Sequence, residues 1–160
     1  MSNLNHFNSS GNAHMVDISE KSETKRIAVA SGKILMQQKT LDLVKDKSSK
    51  KGDVIAVARI AAIQACKKAP DLVPLCHLIN ISRVDVSFEF VDYPPSIACT
   101  VQVESLGKTG VEIESLVGTQ VGLITIYDML KSVDRGMIIT DIGLLLKDGG
   151  KSGKWERKVR

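Results

Sequence analysis

Four polar clusters interrupt the apolar pattern of this 160-residue chain, and chemistry could sit in them. The first, Lys50-Lys51-Gly52-Asp53, stands just before a long apolar run. The start of a helix offers free N–H groups, and with ammonium groups beside it this is a natural seat for phosphate. A capped loop with solvated lysines satisfies the same spacing and is the simpler account of it. The second is PLCHLINIS, residues 74–82. Its His77 could bind a ligand or could be a satisfied core histidine. Cys76 and His77 do not form a nucleophile–base pair, because adjacent residues on an extended segment face opposite ways. Cys76 reads as a small buried hydrophobe. The third, GKTGVEIES at 107–115, runs from two glycines, a lysine and a threonine into Glu112 and Glu114. The acids could bind a ligand or merely complement a helix dipole. The segment is not a Walker A loop, since Gln102 stands where its leading glycine must be; GGKSG at 149–153 fails likewise, with Leu145 in that place. The fourth is IYDMLK, where Asp128 and Lys131 are three apart and share a helix face. Such pairs are usually surface ion pairs. This one falls in a stretch that reads as largely buried, which would perturb both groups and make them a candidate acid–base couple.

The elements that must carry these clusters are legible from periodicity. KRIAVASGKILM at 25–36 reads as a strand with a bulge at its glycine, and 39–46 as a short helix. Residues 47–52 read as a charged loop, and Asp53 as the N-cap of an apolar helix that Pro70 and Pro74 should stop. In SRVDVSFEF, Val84, Val86, Phe88 and Phe90 point one way, and IACTVQV alternates again beyond a DYPPS hairpin connection. A long helix is expected from Val111 to about Val133, with Ile113, Leu116, Val117, Val121, Ile124 and Tyr127 as its apolar stripe. Residues 137–146 supply the last strand. The order strand, helix, strand, strand, helix, strand predicts an α+β fold, a ferredoxin-like βαββαβ sandwich with helices on one face of an antiparallel sheet. The other face would lack helical cover, and an apolar face left open commonly implies self-association.

Length fits one domain: a flexible arm over residues 1–15, a catalytic domain over 16–153 and a basic tail over 154–160. The net charge of +4 suits a polyanionic partner, nucleic acid or phosphorylated metabolite alike. No apolar run is long enough to span a membrane, so no membrane partner is expected. No signal peptide is apparent at the N-terminus. Cys66, Cys76 and Cys99 are an odd, widely spaced set. They predict neither a disulfide framework nor a metal cluster, and suit the reducing cytoplasm.

The strings HMVDIS, KGDV, ARIAAIQACK, LVPLCH, GKTGVEIESL, YDMLK and GGKSG resemble, in order and spacing, those of the molybdenum cofactor biosynthesis protein C family, the cyclic pyranopterin monophosphate synthases. The resemblance runs from about Leu4 to Gly153. It implies a ferredoxin-like fold, assembled as a homohexamer (a trimer of dimers) with active sites at dimer interfaces, and no cofactor. It implies a nucleotide substrate, (8S)-3′,8-cyclo-7,8-dihydroguanosine 5′-triphosphate, converted to cyclic pyranopterin monophosphate and pyrophosphate. On the matching positions Lys51, Asp128 and Lys131 would be catalytic. Leu75, Cys76, His77, Glu112, Ile113, Glu114, Lys147 and Lys151 would bind substrate, the last two lysines near its phosphates. Three positions depart from the family pattern: Leu78 for proline, Ile113 for methionine and Asp148 for serine. Asp148 matters most, since it sets an anion beside the expected phosphate site.

The competing reading is a basic RNA-binding module of the same fold. That needs aromatic residues on the central strands for base stacking. Aromatics are only 4% of the chain and IACTVQVES carries none, so nucleic acid is not the expected partner.

Overall fold

The computed structural model describes residues 6–46 and 52–158. Its elements in chain order are β1 (Thr24–Leu35), α1 (Gln38–Lys45), α2 (Val54–Leu72), β2 (Ile81–Asp92), β3 (Pro95–Gly107), α3 (Glu112–Leu130), β4 (Ile138–Asp148) and β5 (Trp155–Glu156). The fold is α+β. Five strands form one sheet in the order β2-β3-β1-β4-β5, and every pairing is antiparallel. The bulge expected in β1 is present: its register with β4 shifts between Ser31 and Lys33, around Gly32.

Alternation gives the sheet two unlike faces. Ala28, Ile34, Cys99, Val101 and Val103 are buried under α2 and α3. Asp53 caps α2 as expected, its carboxylate accepting from the Ala56 N–H at 3.0 Å. The helices run antiparallel, Ala58 lying near Gly122 and Cys66 near Gly118. They meet so closely that a Cβ on Gly118 would stand 2.5 Å from the Cys66 sulfur.

That close approach overturns part of the expected pattern. The buried stripe of α3 includes Ser115, Gly118, Thr119, Gly122, Leu123 and Ile126, whereas Ile124, placed inward by periodicity, is exposed. Small residues win this face because larger ones would hold the helices apart. The inward hydroxyls stay satisfied, Thr119 donating to the Ser115 carbonyl at 2.9 Å and Ser115 to that of Glu112 at 2.8 Å. Likewise α2 buries Ala58, Ala62, Ala65, Cys66 and Ala69 and leaves Ile60 69% exposed. It also runs through Pro70 instead of stopping there. A proline in the last turn forfeits only one helical hydrogen bond, and the Val73 N–H still reaches the Ala69 carbonyl.

The open sheet face mixes charge with apolar side chains. It is laced by ion pairs, Lys25 with Glu104 at 2.9 Å, Arg83 with the same carboxylate at 3.7 Å and Lys33 with Asp141 at 2.7 Å. Exposed apolar side chains lie on the strands, at Leu106 and Ile138, and on the helices, at Val57, Ile60 and Ile124. Within the basic tail, Trp155–Glu156 adds β5 to the edge of β4.

Candidate active site

β1 begins, β3 ends, α3 begins and β4 ends at one pole of the molecule, and a cavity of about 730 Å³ opens there. Lys21, Arg26, Lys108, Lys147 and Lys151 line it, against the carboxylates of Glu20, Glu112 and Asp148. Five cations facing three anions make a site for a polyanion. Arg26 is anchored by its own strand and by a hydrogen bond from Nε to the Gly107 carbonyl, 3.0 Å. The loop after β4 folds directly onto β1. At Gly149 and Gly150, with φ of 97° and 75°, any Cβ would collide with the Lys25 carbonyl or the Arg26 guanidinium.

A second cavity of about 220 Å³ shares Thr109, Gly110 and Glu112 with the first, so the two are joined along one wall. Leu75, Cys76, His77 and Ile113 line it, together with His6. His77 Nε2 lies 2.8 Å from the Val16 carbonyl oxygen. A carbonyl only accepts, so this nitrogen carries the proton and Nδ1 is left as an acceptor when the ring is neutral. The Cys76 thiol donates to Glu114 at 3.6 Å. Burial, with the Glu114 charge beside it, pushes that thiol up to about 11, so Cys76 is no nucleophile at neutral pH.

Seven of the residues proposed from sequence therefore meet at this pole: Leu75, Cys76, His77, Glu112 and Ile113 around the small cavity, Lys147 and Lys151 in the large one. Glu114 lies behind them. It is 1% exposed and lines neither cavity, and one of its oxygens has no hydrogen-bond partner among the described residues. Burial raises its proton affinity.

Asp128 and Lys131 are elsewhere. They close the far end of α3, about 24 Å (Asp128) and about 28 Å (Lys131) from Glu112 at a helical rise of 1.5 Å per residue. Their ion pair is 2.5 Å long and well exposed, 65% and 53% for the two side chains, not buried as periodicity suggested. Hydrogen bonding to Asp128 holds the Lys131 ammonium above its ordinary 10.5. Lys51 lies outside the described residues. Gly52 and Asp53 just after it lead into α2, whose start is at the Lys131 end because α2 and α3 are antiparallel.

Sequence reasoning did not single out Arg26, Lys21 or Lys108 as ligands. A signal existed for the first, an arginine opening an apolar strand. Lys108 was visible inside GKTG, but nothing in the sequence placed it in one cavity with the second glycine-rich segment, where its ammonium donates to the Ser19 carbonyl at 2.7 Å.

The model of the MoaC family matches residues 15–150, most of the chain and most of the residues that line the two cavities, leaving out His6, Lys151 and Ser152. The chain belongs to the MoaC family. MoaC proteins are cyclic pyranopterin monophosphate synthases, lyases of molybdenum cofactor biosynthesis acting on a nucleotide. A basic cavity joined to one lined by histidine, glutamate and apolar side chains suits such a substrate, polyanionic at one end and heterocyclic at the other. The MoaC sheet offers no platform for stacked bases: the open face of its central strands presents Val29, Ser31, Lys33, Ala98, Thr100 and Gln102. Among the described residues no helix is long and apolar enough to cross a membrane, and no three His, Cys, Asp or Glu are grouped to hold a metal ion.

Proposed function

We propose that each catalytic centre is assembled from two chains. One supplies the pole with His77, Glu112 and the cavity lysines, and the other brings Lys51, Asp128 and Lys131. The observation that carries this reading is the length of α3: groups at its two ends cannot reach one small molecule within a single chain. A homohexamer built as a trimer of dimers would place opposite poles together. The open apolar side chains on α2 and α3 favour association. A ferredoxin-like sandwich is the finer fold reading, supported by the succession β1-α2-β2-β3-α3-β4 and the packing of two antiparallel helices on one sheet face. A cytoplasmic enzyme is the setting that fits its reduced cysteines and its place in biosynthesis.

In this scheme the substrate is the 3′,8-cyclised dihydro-GTP. Its triphosphate faces Lys147, Lys151 and Arg26, and its guanine-derived N–H groups face Glu112 and the ring nitrogen of His77. Glu114 acts through Cys76, which it touches. Opening the ring system and closing a cyclic phosphate requires repeated proton transfers and a stabilised pyrophosphate leaving group. Lys51 and Lys131 exchange the protons and Asp128 orients Lys131. Alone with Asp128, Lys131 keeps its proton and is an acid. Other cations brought close by the second chain would lower its affinity and let it also act as a base.

The test is to supply the cyclised nucleotide and follow pyrophosphate and pterin together. Plain GTP should yield neither. Lys51→Ala and Lys131→Ala should each lose about 10²-fold or more in turnover, with melting and assembly unchanged. Near-normal turnover in both variants refutes the assignment.

A further inference from the structure

The family match ends at residue 150, yet the chain beyond it is folded against the anion end of the cavity. The loop that carries Lys151 and Ser152 leaves β4 after Asp148 and returns as β5, with Trp155 opposite Lys147 and Glu156 opposite Leu146. The return is extended by Arg157, whose N–H donates to the Leu145 carbonyl at 2.8 Å. The Arg157 guanidinium lies against Gly143, in space that any Cβ there would take. Within the loop the Gly153 N–H donates to the Gly150 carbonyl at 3.1 Å, and the Lys147 ammonium donates to the Ser152 hydroxyl. Lys147 is thus fixed twice by the returning chain, through its backbone by Trp155 and through its side chain by Ser152. Three of the four residues from 150 to 153 are glycine or serine, and such a loop has little stiffness of its own. What holds its shape is the closure at its two ends.

We infer that β5 with Arg157 is a clasp that positions the glycine-rich loop, and through it Lys147 and Lys151, for the phosphate end of the substrate. Trp155 and Arg157 are positioning residues that touch no substrate themselves. A strand of two residues opens without unfolding the sheet, so the clasp can loosen while the fold persists. This inference rests on the reading that the cavity takes phosphates there.

Inorganic pyrophosphate, a product of the reaction, is the probe. Its binding to the full chain is measured calorimetrically and by acrylamide quenching of Trp155, the only tryptophan and 45% exposed. In the full chain pyrophosphate should bind and make Trp155 harder to quench. Trp155→Pro removes the pairing without altering charge, and should weaken pyrophosphate binding about tenfold. KM for the nucleotide should rise by a similar factor, kcat should change less, and the melting transition should be retained. Lys158→Gln removes one charge outside the clasp and serves as control, with binding within about twofold of the full chain. Equal pyrophosphate affinity in the full chain and in Trp155→Pro overturns the clasp, as does a Lys158→Gln loss as large as that of Trp155→Pro. Should Trp155→Pro fail to fold, Arg157→Ala is measured instead, where unchanged affinity and unchanged Trp155 quenching would likewise overturn it. Failure of pyrophosphate to bind even the full chain sinks the phosphate reading of the cavity instead.

Discussion

Glu114 is the residue whose behaviour departs most from its sequence position. Read beside Glu112 it looks like a second ligand. The turn of α3 instead carries it inward, against Cys76. Burial raises its proton affinity above the ordinary value of 4.5. The sign of the consequence follows. Below 4.5 the carboxyl is neutral whether folded or unfolded, and stability is undiminished. Above it the unfolded chain ionises while the buried group holds its proton, so stability falls as pH rises toward the folded value. Glu114→Gln should therefore stabilise the protein relative to wild type more at pH 7 than at pH 4, measured by denaturant unfolding at both. An equal effect at the two pH values would show that folding leaves the carboxyl's proton affinity unraised. Sequence exposes the identities of such residues but not their direction: one helical position separates Ile113 at the cavity from Glu114 in the core.

At the scale of elements, strands were easier to read than helices. Val84, Val86 and Phe88 alternate against a polar face, and period two admits only one partition into sides. The helices are apolar almost all round, so hydrophobicity alone did not say which stripe turns inward. Size did. Gly118 and Gly122 let α2 approach, and the larger Ile60 and Ile124 were left outside. Gly118→Val should then cost about 1–3 kcal/mol or more of stability by overpacking against Cys66 and the Ala62 carbonyl, read as a lowered unfolding midpoint. A neutral effect would mean the helices part easily. β5 was not legible because two residues carry no periodicity. Its partner strand, far back in the chain, creates it.

For the whole molecule, the two halves of the proposed centre lie at opposite poles, and no pattern within a sequence reports a distance between poles. The resemblance supplied the shared interface; α3 supplies the physical need for one. Mixing offers a direct check. His77→Ala and Lys131→Ala chains, each inactive alone, should recover roughly a quarter of wild-type activity after co-refolding at equal amounts, since half of random pairs are mixed and each mixed pair has one intact centre. No recovery would confine the centre to one chain.

A rigid rod of nineteen residues also sets a limit on the solitary molecule. On the proposed assignment, the Asp128–Lys131 pair and the nucleotide-facing pole of one copy stay apart, so a lone copy would bind but have nothing to react with. In this scheme turnover belongs to the encounter between copies, and it fades wherever dilution outruns their association.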